Sequence, residues 1–202
     1  SRSVRMLAYE LETLERLNAH YLVLHPGRAV GQPLGEAIEI ASKGIRDAVK
    51  ASGVKKRILL ENTAGQRGDI SSSIENLSEI AQRAGADSIA GICIDTCHAF
   101  QAGYNITTTE GVAELLDKVK TLLSPLRIEL IHLNDSKRPF SSGLDRHEHI
   151  GRGYIGMEGF CRFLNRKEIK GIPLILETPK NTEKDDMENL LKVKALFEDN
   201  GC

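Results

Sequence analysis

Five residues of a metal-binding or acid–base type, His25, Glu61, Asp95, His132 and Glu177, each close a short apolar run. They follow one another at intervals of 36, 34, 37 and 45 residues. Imidazole and carboxylate groups serve as general acids, general bases and metal ligands. Two histidines with three carboxylates suit zinc or manganese better than a thiolate-held structural zinc. Any one of them alone reads more simply, a carboxylate as the N-cap of the next helix and a histidine as a hydrogen-bonded polar residue. Five in succession, at the spacing of one repeating unit, point to a shared metal site. A second cluster adds His98, three residues after Asp95, and the triplet Asp145-Arg146-His147. In Asp-x-His the backbone can turn two ligands toward one ion, with His98 as a third. Read in isolation, Asp145 would be a turn residue and His147 a solvated one. His149 has no evident partner and reads as outer support or solvent-facing; His20 precedes its strand, at the wrong end for the site, and reads as structural.

The elements that must position these residues alternate. Val4, Leu7, Leu11, Leu14 and Leu17 recur at helical spacing ahead of the run Tyr21–Leu24. Leu34, Ile38, Ala41, Ile45 and Val49 form a second amphipathic helix before Arg57–Leu60. Helices near Ile74–Ala84, around Leu115–Leu123 and near Met157–Leu164 lead to Ile89–Ile94, Ile128–Ile131 and Pro173–Leu176, and Lys184–Glu198 is a last helix. Helical periods separated by short continuous apolar runs predict βα units and a parallel sheet covered by helices. Such proteins gather their sites at the carboxyl ends of the strands, so the five residues should converge on one face. Strand alternation places Leu59 inward with Glu61, and Ile58 and Leu60 toward the helices.

The chain has 202 residues, 41% hydrophobic and 27% charged, which suits one globular domain spanning 1–202 and excludes a disordered chain. Net charge is −1, so any contact with nucleic acid must come from a local patch rather than a global field. No apolar run is long enough to span a bilayer and no signal peptide is legible, so no membrane role and an intracellular location, cytoplasm or nucleus, are expected. The four cysteines are too few for a disulfide framework and lack zinc-finger spacing. Cys93 reads as core packing, Cys97 as a residue lining the site without being its nucleophile, Cys161 as helix packing and Cys202 as a terminal residue. The segment Asn134–Gly156 is long for a compact α/β domain and reads as functional. It carries Lys137, Arg138, Arg146 and Arg152 against Asp135, Asp145 and Glu148, a candidate phosphate-binding patch.

His25-Pro26-Gly27, Glu61-Asn62-Thr63-Ala64-Gly65-Gln66, the run Cys93–Tyr104, His132-Leu133-Asn134-Asp135-Ser136, Asp145-Arg146-His147 and Leu176-Glu177-Thr178-Pro179 together resemble the endonuclease IV family. The resemblance runs in order over essentially the whole chain. It implies a TIM (β/α)8 barrel, three zinc ions (manganese being the alternative), and hydrolysis of the phosphodiester 5′ to an abasic site in double-stranded DNA. Carried over position by position, Glu61 would bridge two zincs. His25 would bind the first, Asp95, His132 and Glu177 the second, and His98, Asp145 and His147 the third, with Glu61 and Glu177 as the catalytic carboxylates. Lys137, Arg138, Arg146 and Arg152 are the candidate DNA contacts.

The family barrel has eight strands, whereas the sequence supplies five or six βα units, as though the first units were missing. A further histidine of the first zinc set belongs to that stretch and has no counterpart here. The expectations that follow are a weak first zinc site, poor incision, and self-association through open sheet edges beside the strands ending at His25 and Glu177. Two rivals remain open. One is a sugar isomerase or epimerase on a related barrel, which has no need of the His98, Asp145 and His147 set; the other is a shortened chain that binds damaged DNA without cutting it.

Overall fold

The computed structural model describes residues 1–198. Helix α1 (Arg2–Arg16) starts at Ser1, whose hydroxyl accepts the Val4 N–H, and buries Ala8, Leu11 and Leu14. It leads to β1 (Leu22–Leu24), then α2 (Leu34–Ser52), which Gly53 terminates in the left-handed conformation that glycine adopts without penalty. The alternation continues through β2 (Ile58–Glu61), α3 (Ile74–Ala84), β3 (Ile89–Asp95), α4 (Thr96–Gln101), α5 (Thr109–Leu123) and β4 (Ile128–His132). After the short strands β5 (Asp135–Ser136) and β6 (His147–Glu148) come α6 (Gly156–Leu164), β7 (Leu174–Ile175) and α7 (Asp185–Glu198).

The strands β1-β2-β3-β4-β7 form one parallel sheet in chain order, the arrangement that successive βα units of a TIM barrel produce. Register places Glu61 beside Cys93 and Asp95 beside His132, so the polar strand ends sit at nearly one level. Gly91 in β3 is required by packing, since a Cβ there would meet Glu129 of β4 and the Arg127 carbonyl just before that strand. Ile58 and Leu60 join the large core against the helices, while Leu59, Cys93 and Leu130 form a separate small cluster on the inner face. Cys93 is thus core packing, as its place in the strand implied, and Cys161 packs from α6 against the large core. Cys202 lies outside the described residues. Among the described residues, β1 and β7 each pair on one side only. The inner layer thins toward those edges, with Val23 half-buried and Ile175 46% exposed. Among the described residues, no helix is long and apolar enough to cross a membrane.

The long segment 134–156, read as functional, is not irregular throughout. Asp135 pairs with Glu148 and Ser136 with His147 in an antiparallel ribbon, which returns the chain to the sheet's carboxyl end. Its far end is tied down as well: Ser141 N–H donates to the Phe100 carbonyl and Gly143 N–H to that of Gln101. Gly143 also lies so close to the Gly65 carbonyl that a side chain there would be crowded.

Candidate metal centre

Glu61, Asp95 and His132 are the last residues of their strands, and His25 and Glu177 lie just beyond theirs. Their side chains converge. Glu61, 4% exposed, is central: its Oε2 is 2.9 Å from His25 Nε2, and its Oε1 is 3.0 Å from His132 Nδ1. His132 Nδ1 is also 3.2 Å from Glu177 Oε2. Burial alone would raise the Glu61 carboxyl's pKa, but hydrogen bonds from His132, His25 and His98 hold it well below the usual carboxylate range. The imidazoles respond in kind. Glu61 raises His25; burial opposes protonation of His132, but Cys93, Glu177 and Glu61 together raise it.

Asp95 is fully buried and does two jobs. Its Oδ1 accepts the His98 N–H at 2.8 Å and so caps α4, and its Oδ2 accepts from Asn134 Nδ2 at 2.7 Å. The N-cap reading and the ligand reading are therefore compatible. The cap also sets the turn that swings His98 back over the strand end. His98 Nδ1–H donates to the Asn62 carbonyl at 2.9 Å, which leaves Nε2 facing Asp145 Oδ1 at 3.2 Å. His147 is oriented the same way: Nδ1–H donates to the Glu177 carbonyl at 2.9 Å, and Nε2 lies 3.4 Å from the same Asp145 oxygen. Asp145 and His147 point together because alternate residues of an extended ribbon share a face, and Arg146 between them is exposed.

The Nε2 atoms of His98 and His147 are buried, yet neither has a hydrogen-bond partner. Each is close to a carboxylate oxygen without being aligned to it, as ligands aimed at a common point would be. A backbone carbonyl fixing the opposite ring nitrogen is the usual outer support of a metal-binding histidine. Ligand atoms within 4.8 Å of one another define one group of Glu61, Asp95, His132 and Glu177 and another of His98, Asp145 and His147. A third group joins His25 and Glu61 to His98, borrowing a residue already committed to the second cluster. These donor sets fit zinc: nitrogen and oxygen ligands, oriented from behind, with polar atoms left unsatisfied.

Residues 1–195 match a family described as a xylose isomerase-like TIM barrel. Probable endonuclease 4 of Methanoculleus marisnigri is 40% identical over 199 residues, covering 96% of this chain and 70% of that protein. Its counterpart from Thermotoga maritima is 40% identical over 198 residues, covering 98% and 68%. The chain belongs to the endonuclease IV family. The crystal structure of endonuclease IV from Thermus thermophilus superposes with a TM-score of 0.82 at 33% identity, over 96% of this chain and 68% of that one. A D-tagatose 3-epimerase-like protein shares the fold, with a TM-score of 0.68 at 24% identity over 95% of this chain and 67% of that one.

Within this endonuclease IV family member, the structure brings together all eight side chains singled out as metal ligands. The four candidate DNA contacts do not behave alike. Lys137, Arg138 and Arg146 are exposed. Arg152 is paired with Glu188 at 3.3 Å. Asp135 does not offset those cations. It is fully buried, and its carboxylate accepts backbone N–H groups from Ser136, Gly151, Gly153, Ile155 and Gly156. Burial raises its pKa against the pull of those amides. Cys97 is buried near Asp95 and His147, and burial pushes its thiol pKa far up, so it lines the cluster as an unreactive thiol. His149 is neither solvent-facing nor aimed at the cluster; it is buried beside Asn189. His20 lies exposed at the opposite end of β1, with its carbonyl accepting from Arg57.

Residue types alone did not mark Asn62 and Asn134 as the clamps between strand ends. Asn62 exchanges two hydrogen bonds with the Asp95 backbone, at 2.8 and 3.1 Å. Asn134 holds Asp95 through its amide and the Glu177 N–H through its oxygen. The available signal was position, an asparagine one or two residues after a strand-end ligand.

Proposed function

We propose that this chain carries the zinc-dependent phosphodiesterase centre of an apurinic/apyrimidinic endonuclease, hydrolysing the phosphodiester 5′ to an abasic site in duplex DNA. The observation that carries the reading is the separate His98, Asp145 and His147 group beside the Glu61, Asp95, His132 and Glu177 group. A sugar isomerase or epimerase needs no such additional centre. The 40% identity to probable endonuclease 4 proteins supports the same choice.

Bound zinc ions would supply Lewis-acid activation of the nucleophile and stabilisation of charge on the phosphate and leaving oxygen. The chain's own residues do the rest. Glu61 is shared between the His25 side and the Asp95–His132 side, which fixes the two at one spacing. Asn62 and Glu177 present their carbonyls to His98 and His147, so each ring keeps a lone pair at Nε2 once its proton leaves. Glu177, with 48% of its side chain exposed, is the carboxylate of its group that reaches the solvent where water and DNA arrive. Lys137, Arg138 and Arg146, exposed on the ribbon that carries Asp145 and His147, would hold flanking phosphates. The whole of residues 1–202 would act as one domain, and the one-sided pairing of β1 and β7 supports self-association through those edges.

The test is incision of a labelled abasic-site duplex by the chain, with and without chelator, followed by polymerase extension of the new 3′ end. Zinc-restored cutting that leaves an extendable 3′-hydroxyl is expected. Turnover of ketose sugars without incision would replace this reading with the epimerase one. Tight DNA binding without metal-dependent cutting would leave a non-cleaving binder.

A further inference from the structure

Behind the metal-facing side chains lies a buried polar network that ligand chemistry does not explain. Helix α7 buries Asp185, Asn189, Val193 and Leu196 along one stripe, so its first turns put polar side chains where a core would take leucine. Asn189, 1% exposed, is the hub. Its Oδ1 accepts the Ile150 N–H at 2.9 Å. Its Nδ2 faces Thr178 Oγ1 at 3.0 Å, His149 Nδ1 at 3.1 Å and the Asp185 carbonyl at 2.8 Å. One turn further along α7, Lys192 Nζ donates to the Ile150 carbonyl at 2.6 Å, so both backbone groups of Ile150 are held by this helix. The Asp185 carboxylate secures the other side of the network by accepting from the Asn181 and Thr182 N–H groups and the Thr182 hydroxyl.

The positions of Asn189's partners give the network its meaning. Thr178 directly follows Glu177, and His149 lies two residues beyond His147. The two segments also touch in front, where His147 Nδ1 meets the Glu177 carbonyl at 2.9 Å. Asn189 therefore grips, from behind, the chain segments that present Glu177 to one candidate metal group and His147 to the other.

We propose that Asn189 is a positioning residue that fixes these two metal groups relative to each other, through Thr178 on one side and the His149–Ile150 segment on the other. This rests on the zinc reading above. Burying an amide costs free energy unless every polar atom is used. Here both polar atoms are used, on segments one to three residues from the ligands. Apolar replacement would strand the buried Ile150 N–H and free the Thr178 hydroxyl, loosening both ligands without touching either.

The experiment uses the full chain and zinc itself, with release to a chromogenic chelator as the readout and urea unfolding of the metal-free protein as the control. Asn189→Leu is expected to weaken zinc at both groups by roughly 10- to 100-fold, the usual loss when an outer support of a ligand is removed. Thr178→Val keeps the shape but lacks the hydroxyl, and it should weaken the ion held with Glu177 more than the one held with His147, whose ring leans on the Glu177 carbonyl. If Asn189→Leu fails to fold, Thr178→Val decides the matter. If the unaltered chain takes up no zinc, the metal reading itself fails. If the unaltered chain binds zinc and the folded variants hold it as tightly, Asn189 is not a positioning residue, even if the variants unfold at lower urea.

Discussion

Replacing Glu61 by glutamine keeps the side chain's shape and removes its charge, and the structure indicates how much that should cost. The carboxylate is 4% exposed and lies within 3.0 Å of both His25 Nε2 and His132 Nδ1, with His98 Nδ1 at 3.5 Å. Removing one partner from a buried, hydrogen-bonded charge pair costs about 3–5 kcal/mol. If the same interaction is lost toward a bound cation, zinc affinity falls by roughly two to three and a half orders of magnitude, at about 1.4 kcal/mol per tenfold. The loss should be selective. Glu61 belongs to the His25 group and to the Asp95–His132–Glu177 group, whereas the His98–Asp145–His147 group does not contain it. Zinc content after gel filtration, with chelator competition for affinity, is the assay. Glu61→Gln should strip zinc from the groups that share it and leave the remaining group loaded. A variant with the zinc content and affinity of the unaltered chain would refute the reasoning.

Glu177→Gln should abolish incision while moving the urea midpoint little, because this side chain is half exposed and surface changes usually stay within about 0.5 kcal/mol; near-normal cutting would remove Glu177 from the site. Asp135→Ala should destabilise the fold by about 3 kcal/mol or more in urea unfolding, since it strands the buried amides of Ser136 and Ile155 and the part-buried ones of Gly151 and Gly153, at about 1–3 kcal/mol for each buried one. A loss near zero would show that those amides have other partners. Removing Lys137 and Arg138 together should flatten the salt dependence of abasic-duplex binding by about 0.9 log unit per log unit of salt for each phosphate no longer neutralised. An unchanged slope would take both residues off the DNA. In the metal-free chain Asp95, Asp145 and Glu61 overcome burial and push His98 up to about 11, so its ring is protonated at neutral pH. Zinc must displace that proton, affinity should rise with pH, and calorimetric binding heats should depend on the buffer's ionisation enthalpy; heats independent of buffer would contradict this.

The alternation of helical periods and apolar runs was enough to read the parallel sheet, and strand alternation correctly put Leu59 inward and Ile58 and Leu60 outward. Five candidate ligands, His25, Glu61, Asp95, His132 and Glu177, were legible because they fall at or just beyond strand ends, where one local pattern repeats along the chain. What the sequence hid was contact between segments far apart in it. Nothing local says that Asp135 spends its charge on amides from Gly151, Gly153 and Gly156, although a glycine series is what such close backbone approach requires. At Gly153 a Cβ would collide with Asp135 and the Ser136 carbonyl. The ribbon that swings Asp145 and His147 back to the sheet follows from the β5–β6 pairing, which residues this polar do not announce. Arg152 carried the composition of a phosphate contact, and only the fold reveals Glu188 beside it. Asn189 was indistinguishable from an exposed helix residue until α7 was seen to turn it inward.

The positions that zinc takes up are the most direct test of the metal centre. Crystals of the chain grown with zinc, measured at the zinc absorption edge, should give anomalous peaks among Glu61, Asp95, His132 and Glu177 and among His98, Asp145 and His147. A weaker peak is expected beside His25, whose group must share Glu61 and His98 with the others. A map with no zinc between these side chains, from protein that binds zinc elsewhere or not at all, would contradict it.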